Sequence, residues 1–421
     1  MIPAHILKEV ILDQINLQTI MPLIDRDIFS DLEKLRNTPF IIVITGLRRC
    51  GKSTLMQMIR KEHTERDFFI SFDDDRLATF ELQDFQTLLE CFIELYGDQK
   101  IIYLDEVQNI PEWERFVRRL HDQHYKVYIT GSNALMFSKE LGTRLTGRYL
   151  DIEMYPFSFK EFVRFYQPGL LKPNYSTVEK AEIKKIFNDY LRIGGLPEYI
   201  RHPTDNYLHT LYENILYKDI IARYRLTNER NIKFLVHYLA SNVGKDTNFR
   251  QLGRMIETSS SSVADYCHYL ENCFLNFMVN RYSPSLKQQQ GYQKKNYFID
   301  AALAQSIGFR ISEDRGRMLE NIVFLELKRK KLDIYFHKNN TECDFIIKKG
   351  NTIVQAIQVT ERMEHHQTKK REIAGLMDAM QQFQLTQGLI LTETEEDVLT
   401  ETNGNLNYTI KIQPLWKWLL E

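Results

Sequence analysis

The sequence predicts an α/β chain built first on a parallel sheet, then a helical segment, a helix-pair-plus-hairpin module and a second α/β domain. Three observations predict it. The run FIIVIT at 40–45 is continuously apolar and β-branched, as a strand buried on both faces of a parallel sheet must be, and a glycine-containing turn and the helix-compatible LMQMIRKEH follow it directly. A second apolar run, IIYLDE at 101–106, ends in paired acids. The third is length: 421 residues exceed one ordinary core, which at roughly 150 residues per domain means two or three domains.

The turn reads Gly46-Leu47-Arg48-Arg49-Cys50-Gly51-Lys52-Ser53-Thr54, the pattern GxxxxGKS between a strand and a helix. Glycines allow a tight turn and close backbone approach, amides at the helix N-terminus bind phosphate oxygens, and Lys52 supplies a mobile positive charge. This predicts a P-loop NTPase core over 39–153, with all nine residues around the phosphates and the Ser53 hydroxyl on magnesium. Cys50, near a helix N-terminus, is expected to favour its thiolate.

Hydrolysis needs a carboxylate at the end of a second buried strand. IIYLDE is expected beside the first strand, with Asp105 holding Mg2+ through its water shell and Glu106 polarising the attacking water. The run VYIT at 127–130 leads to Gly131-Ser132-Asn133, so Asn133 or Ser132 is the candidate for orienting water or touching the γ-phosphate. FFISF at 68–72, followed by Asp73, Asp74 and Asp75, reads as an extra strand between the two phosphate-handling strands, the additional-strand class of P-loop fold. Downstream, Arg148 is the first candidate and Arg144 the second for an arginine that stabilises transition-state charge.

Composition narrows the partners. Lys plus Arg total 55 against 56 acids, so any grip on a nucleic acid must be local. Five cysteines without a CxxC pair argue against a disulfide framework and for a reducing, cytoplasmic compartment. Ile6, Val10, Ile11 and Ile15 recur at helical spacing, so segment 1–38 is expected to lay an amphipathic helix on a neighbouring domain, and no apolar run reaches membrane-spanning length.

Taken together, GLRRCGKSTL, IIYLDEVQNI, YITGSNA, LTGRY and YPFSFKEF resemble a prokaryotic family of AAA-type ATPases that carry a C-terminal region of unknown function. The likeness continues through YLRIGGLPEYI, YKDIIARYRL and LENIVFLELKRKKLDIYFHKNNTECDFII. It implies ATP as the nucleotide and matches Lys52, Ser53, Asp105, Glu106 and Asn133 to the family's nucleotide site.

Residues 154–225 read as a helical lid in which Gly194-Gly195-Leu196-Pro197 interrupts a helix pair. Over 226–312 the order helix, turn, helix, hairpin is the plan of a winged helix, with the serine run 259–262 capping its second helix. That helix has no Lys or Arg, and the basic residues gather at Arg250, Arg254, Lys287, Lys294 and Lys295, so a protein partner is favoured over DNA. In 313–421, Glu320, Asp344 and Gln358 follow the order of restriction-endonuclease-like folds, but Thr360 stands where a lysine is needed, and Lys369 or Lys370 would have to substitute. The plainer reading of Glu320 and Asp344 is a helix cap and a strand-edge charge, so a nuclease-like scaffold without activity is expected. Glu364, His365 and His366 are weak metal candidates, and Lys328–Lys331 suit a solvated helix end. The expected whole is an ATPase whose C-terminal domains move with the nucleotide state. The alternatives are a slowly hydrolysing switch that recruits a protein, and a DNA-processing protein; the sequence leaves oligomeric state open.

Overall fold

The computed structural model describes residues 1–16, 24–62, 67–132, 145, 147–309, 314–403 and 406–421. The chain divides into two compact units, Met1–Tyr155 and Pro156–Glu421, with Asn272–Phe274 grouping with the first. Among the described residues no helix is long and apolar enough to cross a membrane.

The first unit is a five-stranded parallel sheet of β1 (Ile41–Gly46), β2 (Phe68–Ser71), β3 (Ile101–Asp105), β4 (Lys126–Gly131) and β5 (Tyr149–Met154), in the order β2-β3-β4-β1-β5. The helices described with it are α1 (Ala4–Asn16), α2 (Phe29–Leu35), α3 (Lys52–Glu62), α4 (Asp84–Tyr96) and α5 (Trp113–Asp122). All six residues of β1 are buried, as its unbroken apolar run requires.

Two expectations about the sheet are corrected here. The acidic strand β3 is not beside β1, and FFISF does not lie between them; β4 is the intervening strand, and FFISF forms the edge strand β2. The edge is covered from the N-terminus. Leu7, Val10 and Ile11 of α1 are fully buried in the core they share with β2 and α4, so this helix belongs to the first unit's own core. Gln14 completes the cover: its amide donates to Ser71 O at 3.0 Å and its oxygen accepts from Ser71 N at 2.7 Å, which satisfies the backbone that an edge strand leaves open.

The second unit starts with α6 (Phe159–Tyr166) and α7 (Thr177–Ile193), each opened by a capping box, Ser158 with Glu161 and Ser176 with Glu179. Gly194 ends α7 at φ +75°, and Pro197 starts α8 (Pro197–Arg201). The glycine pair has a steric reason: a Cβ on Gly194 would lie 2.3 Å from Asp300 Oδ1, and one on Gly195 would lie 2.4 Å from Phe157 O. Then come α9 (Glu229–Ser241), α10 (Phe249–Met255) and α11 (Ser260–Asn272), with a three-stranded antiparallel sheet of β6 (Asp246–Thr247), β7 (Asn276–Asn280) and β8 (Lys294–Phe298) in the order β6-β8-β7. Ser259 Oγ accepts from Ser262 N at 3.0 Å at the start of α11.

After α12 (Ala301–Ile307) and α13 (Arg315–Arg329), the chain forms a mixed six-stranded sheet from β9 (Asp333–Lys338), β10 (Glu342–Lys349), β11 (Thr352–Val359), β12 (Gln387–Thr392), β13 (Asp397–Asn403) and β14 (Leu406–Pro414). Its order is β13-β14-β12-β11-β10-β9, and α14 (His366–Gln382) packs on its central strands.

Candidate functional site

The end of β1 and the start of α3 are held as a tight loop. Gly46 has φ +153°, and a Cβ there would lie 2.2 Å from Met154 O of β5, so only glycine fits. Gly51 (φ +101°) and Arg49 (φ 67°) complete the turn. Arg26 braces it from outside: its guanidinium donates to Cys50 O at 3.1 Å and to Tyr155 O at 2.6 Å. Nothing local in the sequence marks Arg26 for this work, since its partners lie 24 and 129 residues away.

Lys52 opens α3 and is 4% exposed. Its ammonium donates to Leu47 O at 3.2 Å and Gly46 O at 3.3 Å and lies 3.5 Å from Glu106 Oε1. Ser53 Oγ donates to Asp105 Oδ1 at 3.0 Å, so the two proposed magnesium positions touch. Asp105 also accepts from Thr130 Oγ1 at 2.6 Å and Ser71 Oγ at 3.0 Å. Thr130 in turn accepts from Glu106 N at 2.9 Å, which ties the two acids to β4, the strand between β3 and β1.

Electrostatics separate the acids. Burial, aided by the neighbouring Glu106, raises Asp105 above the ordinary carboxylate value in spite of its three hydroxyl donors. Burial works to raise Glu106 too, but Lys52, Gln108 and Arg48 outweigh it and hold its carboxyl low, as a proton acceptor requires. Glu106 takes left-handed backbone, φ 51°, a strained conformation for a side chain of this type. Lys52 is raised: burial opposes its charge, but Glu106, Cys50 and Asp105 more than compensate.

The remaining sequence candidates fare differently. Cys50 is fully buried, and burial pushes its thiol up, so the expected thiolate is not favoured. Asn133 and Arg144 lie outside the described residues. Ser132 is buried, its hydroxyl 3.5 Å from Gln108 Nε2. Arg148 stands at the wrong end of the sheet to act within its own chain: its carbonyl accepts from Ile41 N at the start of β1, whereas the loop leaves from Gly46, about 16 Å further along a parallel strand. Its guanidinium faces Asp122 at 3.6 Å.

A second polar cluster lies in the second unit. Lys295 of β8, 2% exposed, meets Glu342 at 2.7 Å and both Glu320 and Asp344 at 2.9 Å. Tyr297 also donates to Glu320 at 2.6 Å, and Gln358 accepts from Asp344 N at 3.2 Å while donating to Glu372 at 2.6 Å. Burial would lower Lys295, but Asp344, Glu320 and Glu342 hold it well above its ordinary value. Lys295, expected on the wing, is buried, so it is not presented to a phosphate backbone. Glu320 lies inside α13 rather than opening it, and β10 is an interior strand, so neither the cap nor the strand-edge reading applies. Lys370 is exposed, and the lysine that reaches these acids is Lys295. Glu364, His365 and His366 are exposed, and among the described residues no group of three or more His, Cys, Asp or Glu side chains is placed to hold a metal ion.

Comparison with known proteins places an AAA domain over the first unit's sheet. An AAA domain model matches residues 38–163, and a model of a domain of unknown function matches 184–314. The chain is 32% identical to the uncharacterized protein MJ1544 of Methanocaldococcus jannaschii over 98% of its own length and 95% of that protein. It is 29% identical to an uncharacterized protein of Haemophilus influenzae over 87% of this chain and 94% of that one. A solved structure of Drosophila ORC bound to AT-rich DNA and Cdc6 overlaps 72% of this chain and 93% of that one at 13% identity, with a TM-score of 0.22, too low to carry an argument about DNA.

Proposed function

The chain belongs to the family of MJ1544 and carries an AAA-type domain, and from that premise we propose that it is a magnesium-dependent ATPase that converts ATP to ADP and phosphate. One observation carries the reading: a buried lysine, a serine bonded to an aspartate and a glutamate held ionised all converge on one glycine-hinged loop. The residues fit the group. The loop amides and Lys52 would take the β- and γ-phosphates, and Ser53 with Asp105 would hold Mg2+, an ion that keeps several waters and needs few protein ligands. When bound, magnesium neutralises charge developing on the phosphate oxygens. Glu106, held below its ordinary pKa, accepts a proton from the attacking water.

Coupling to the second unit is part of the proposal. The order α9, β6, α10, α11, β7, β8 supports a winged-helix reading, and the mixed sheet with Glu320, Asp344 and Gln358 supports a nuclease-like scaffold. The absence of Lys or Arg from α11 and the burial of Lys295 favour protein contact over DNA processing. A cytoplasmic location fits the buried thiols Cys50, Cys91, Cys267 and Cys343.

The test is a pair of variants. Lys52→Ala is expected to weaken ATP binding by roughly 100-fold or more, because a phosphate-facing charge is lost in a buried site. Glu106→Gln is expected to keep binding within a few-fold and to lower turnover by about 100-fold or more. Hydrolysis by Glu106→Gln at the wild-type rate would remove the role given to that residue.

A further inference from the structure

Gln108 lies two residues beyond the proposed base Glu106, in the short turn Val107–Asn109 that follows β3, and is 7% exposed. Its amide nitrogen donates to Glu106 Oε2 and lies 3.5 Å from Ser132 Oγ. Its oxygen is buried and has no hydrogen-bond partner among the described residues. The amide orientation is fixed by chemistry: reversing it would set an oxygen against an ionised carboxylate, an acceptor against an acceptor.

A buried acceptor without a donor is unusual, and this one sits close to the proposed base. The amide geometry puts Oε1 about 2.2 Å from Nε2. It is therefore within about 5 Å of Glu106 Oε2, the span that a single water bridges with two hydrogen bonds. A water donating one proton to Gln108 Oε1 and the other to Glu106 has both its donors engaged. What it presents outward is a lone pair.

We infer that Gln108 is a catalytic residue that positions the attacking water: its carbonyl accepts one proton of the water, while its amide holds the Glu106 carboxylate in place to take the other. This deepens the ATPase reading and rests on it. In the step itself, the water oxygen bonds to the γ-phosphorus as the bond to the bridging oxygen of ADP breaks. One water proton passes to Glu106, the other stays on the new phosphate oxygen hydrogen-bonded to Gln108, and ADP leaves with the bond's electron pair. The roles of Thr130 and Ser132 follow from contact. Thr130 Oγ1 of β4, the strand between the acid and the phosphate loop, fixes Glu106 through its backbone N–H at 2.9 Å, and Ser132, the residue just past the end of β4, borders the amide.

The experiment uses the full chain with ATP and magnesium, comparing wild type, Gln108→Ala, Gln108→Asn and Glu106→Gln for ATP affinity, kcat and unfolding midpoint. Gln108→Ala is expected to lose roughly 10- to 100-fold in kcat with ATP affinity within about threefold of wild type. The split is the discriminating readout: a purely structural role would lower ATP affinity or the unfolding midpoint along with kcat, whereas loss of water positioning lowers kcat alone. Gln108→Asn, which keeps the amide but shortens its reach, should lie between the two in kcat. If Gln108→Ala keeps kcat within twofold, or raises it, the assignment is overturned while the ATPase reading stands on the Glu106→Gln result. Absence of turnover in the wild type would overturn both.

Discussion

Two lysines, each almost wholly buried, are set among carboxylates in the two units, and they are coordinated in opposite ways. Lys52 faces two backbone carbonyls at 3.2 and 3.3 Å, and the carboxylate it meets, Glu106, is 3.5 Å away. Lys295 is gripped by Glu342, Glu320 and Asp344 at 2.7, 2.9 and 2.9 Å, the range of full charge-assisted hydrogen bonds. A lysine closed in by three acids has its charge satisfied by the protein, so a phosphate would have to displace all three. Lys52 keeps its charge for an incoming anion, and glycines on either side let backbone amides approach that anion too. Burial of a lysine beside acids is therefore not in itself a catalytic signature. The distances and the backbone around it decide.

The sharpest way to break the comparison is to remove the tight lysine. Lys295→Met leaves Glu320 and Asp344 buried without their cation, and breaking a buried ion network from one side costs about 3–5 kcal/mol. Denaturant unfolding of the full chain should show a transition moved to distinctly lower denaturant, while ATP affinity stays within about twofold of wild type. Lys52→Ala should show the reverse emphasis, lost nucleotide binding with a smaller loss of stability than Lys295→Met, since it gives up one carboxylate contact at 3.5 Å where Lys295 gives up three at 2.7, 2.9 and 2.9 Å. Unchanged unfolding in Lys295→Met would put the two lysines in one class and remove the distinction.

The phosphate loop was legible because its information is local: FIIVIT, GLRRCGKST and the following helix specify strand, turn and helix within about twenty residues. The acid pair of IIYLDE was legible for the same reason. Lateral strand order was not, because crossover connections leave no mark in a strand's own composition; FFISF looks equally at home in the middle or at the edge of a sheet, and the helix that covers it is about 60 residues away. The strand β5 is hidden in the sequence because Asp151 and Glu153 interrupt its apolar positions, although Tyr149–Met154 pairs with β1 along its whole length. The residues flanking Lys295 in sequence suggest an exposed wing residue. Its partners lie 25, 47 and 49 residues further on, in a helix and a strand that fold back onto it. Gln108 carries only a faint signal in the sequence, a polar residue soon after the acids; its meaning lies in its contact with Glu106 and in an oxygen unpaired among the described residues.

A smaller effect sharpens the same contrast through pH. Burial pushes Glu320 up to about 7, against the pull of Lys295 and the Tyr297 hydroxyl, with Asp344 adding to the rise and Glu342 also facing the shared ammonium. A carboxyl whose folded pKa lies above its ordinary value near 4.5 binds its proton more tightly in the folded chain than in the unfolded one. Its contribution to stability is therefore fully present below about pH 4.5 and is lost as pH rises through about 7. Glu106 has the opposite sign, because Lys52, Gln108 and Arg48 hold it low; its contribution is present above its ordinary value and is lost only as pH falls. Glu320→Gln, which fixes the neutral form, should flatten the decline in unfolding midpoint between pH 4.5 and 8, and the difference from wild type isolates this one group from the others that titrate in common. Since the acids around Lys295 share their protons, the measured transition belongs to the cluster, and its midpoint is expected near 7. A wild-type midpoint that rises over this interval, or a Glu320→Gln curve parallel to it, would mean that the ammonium holds Glu320 ionised throughout and that the second cluster tolerates three full negative charges around one lysine.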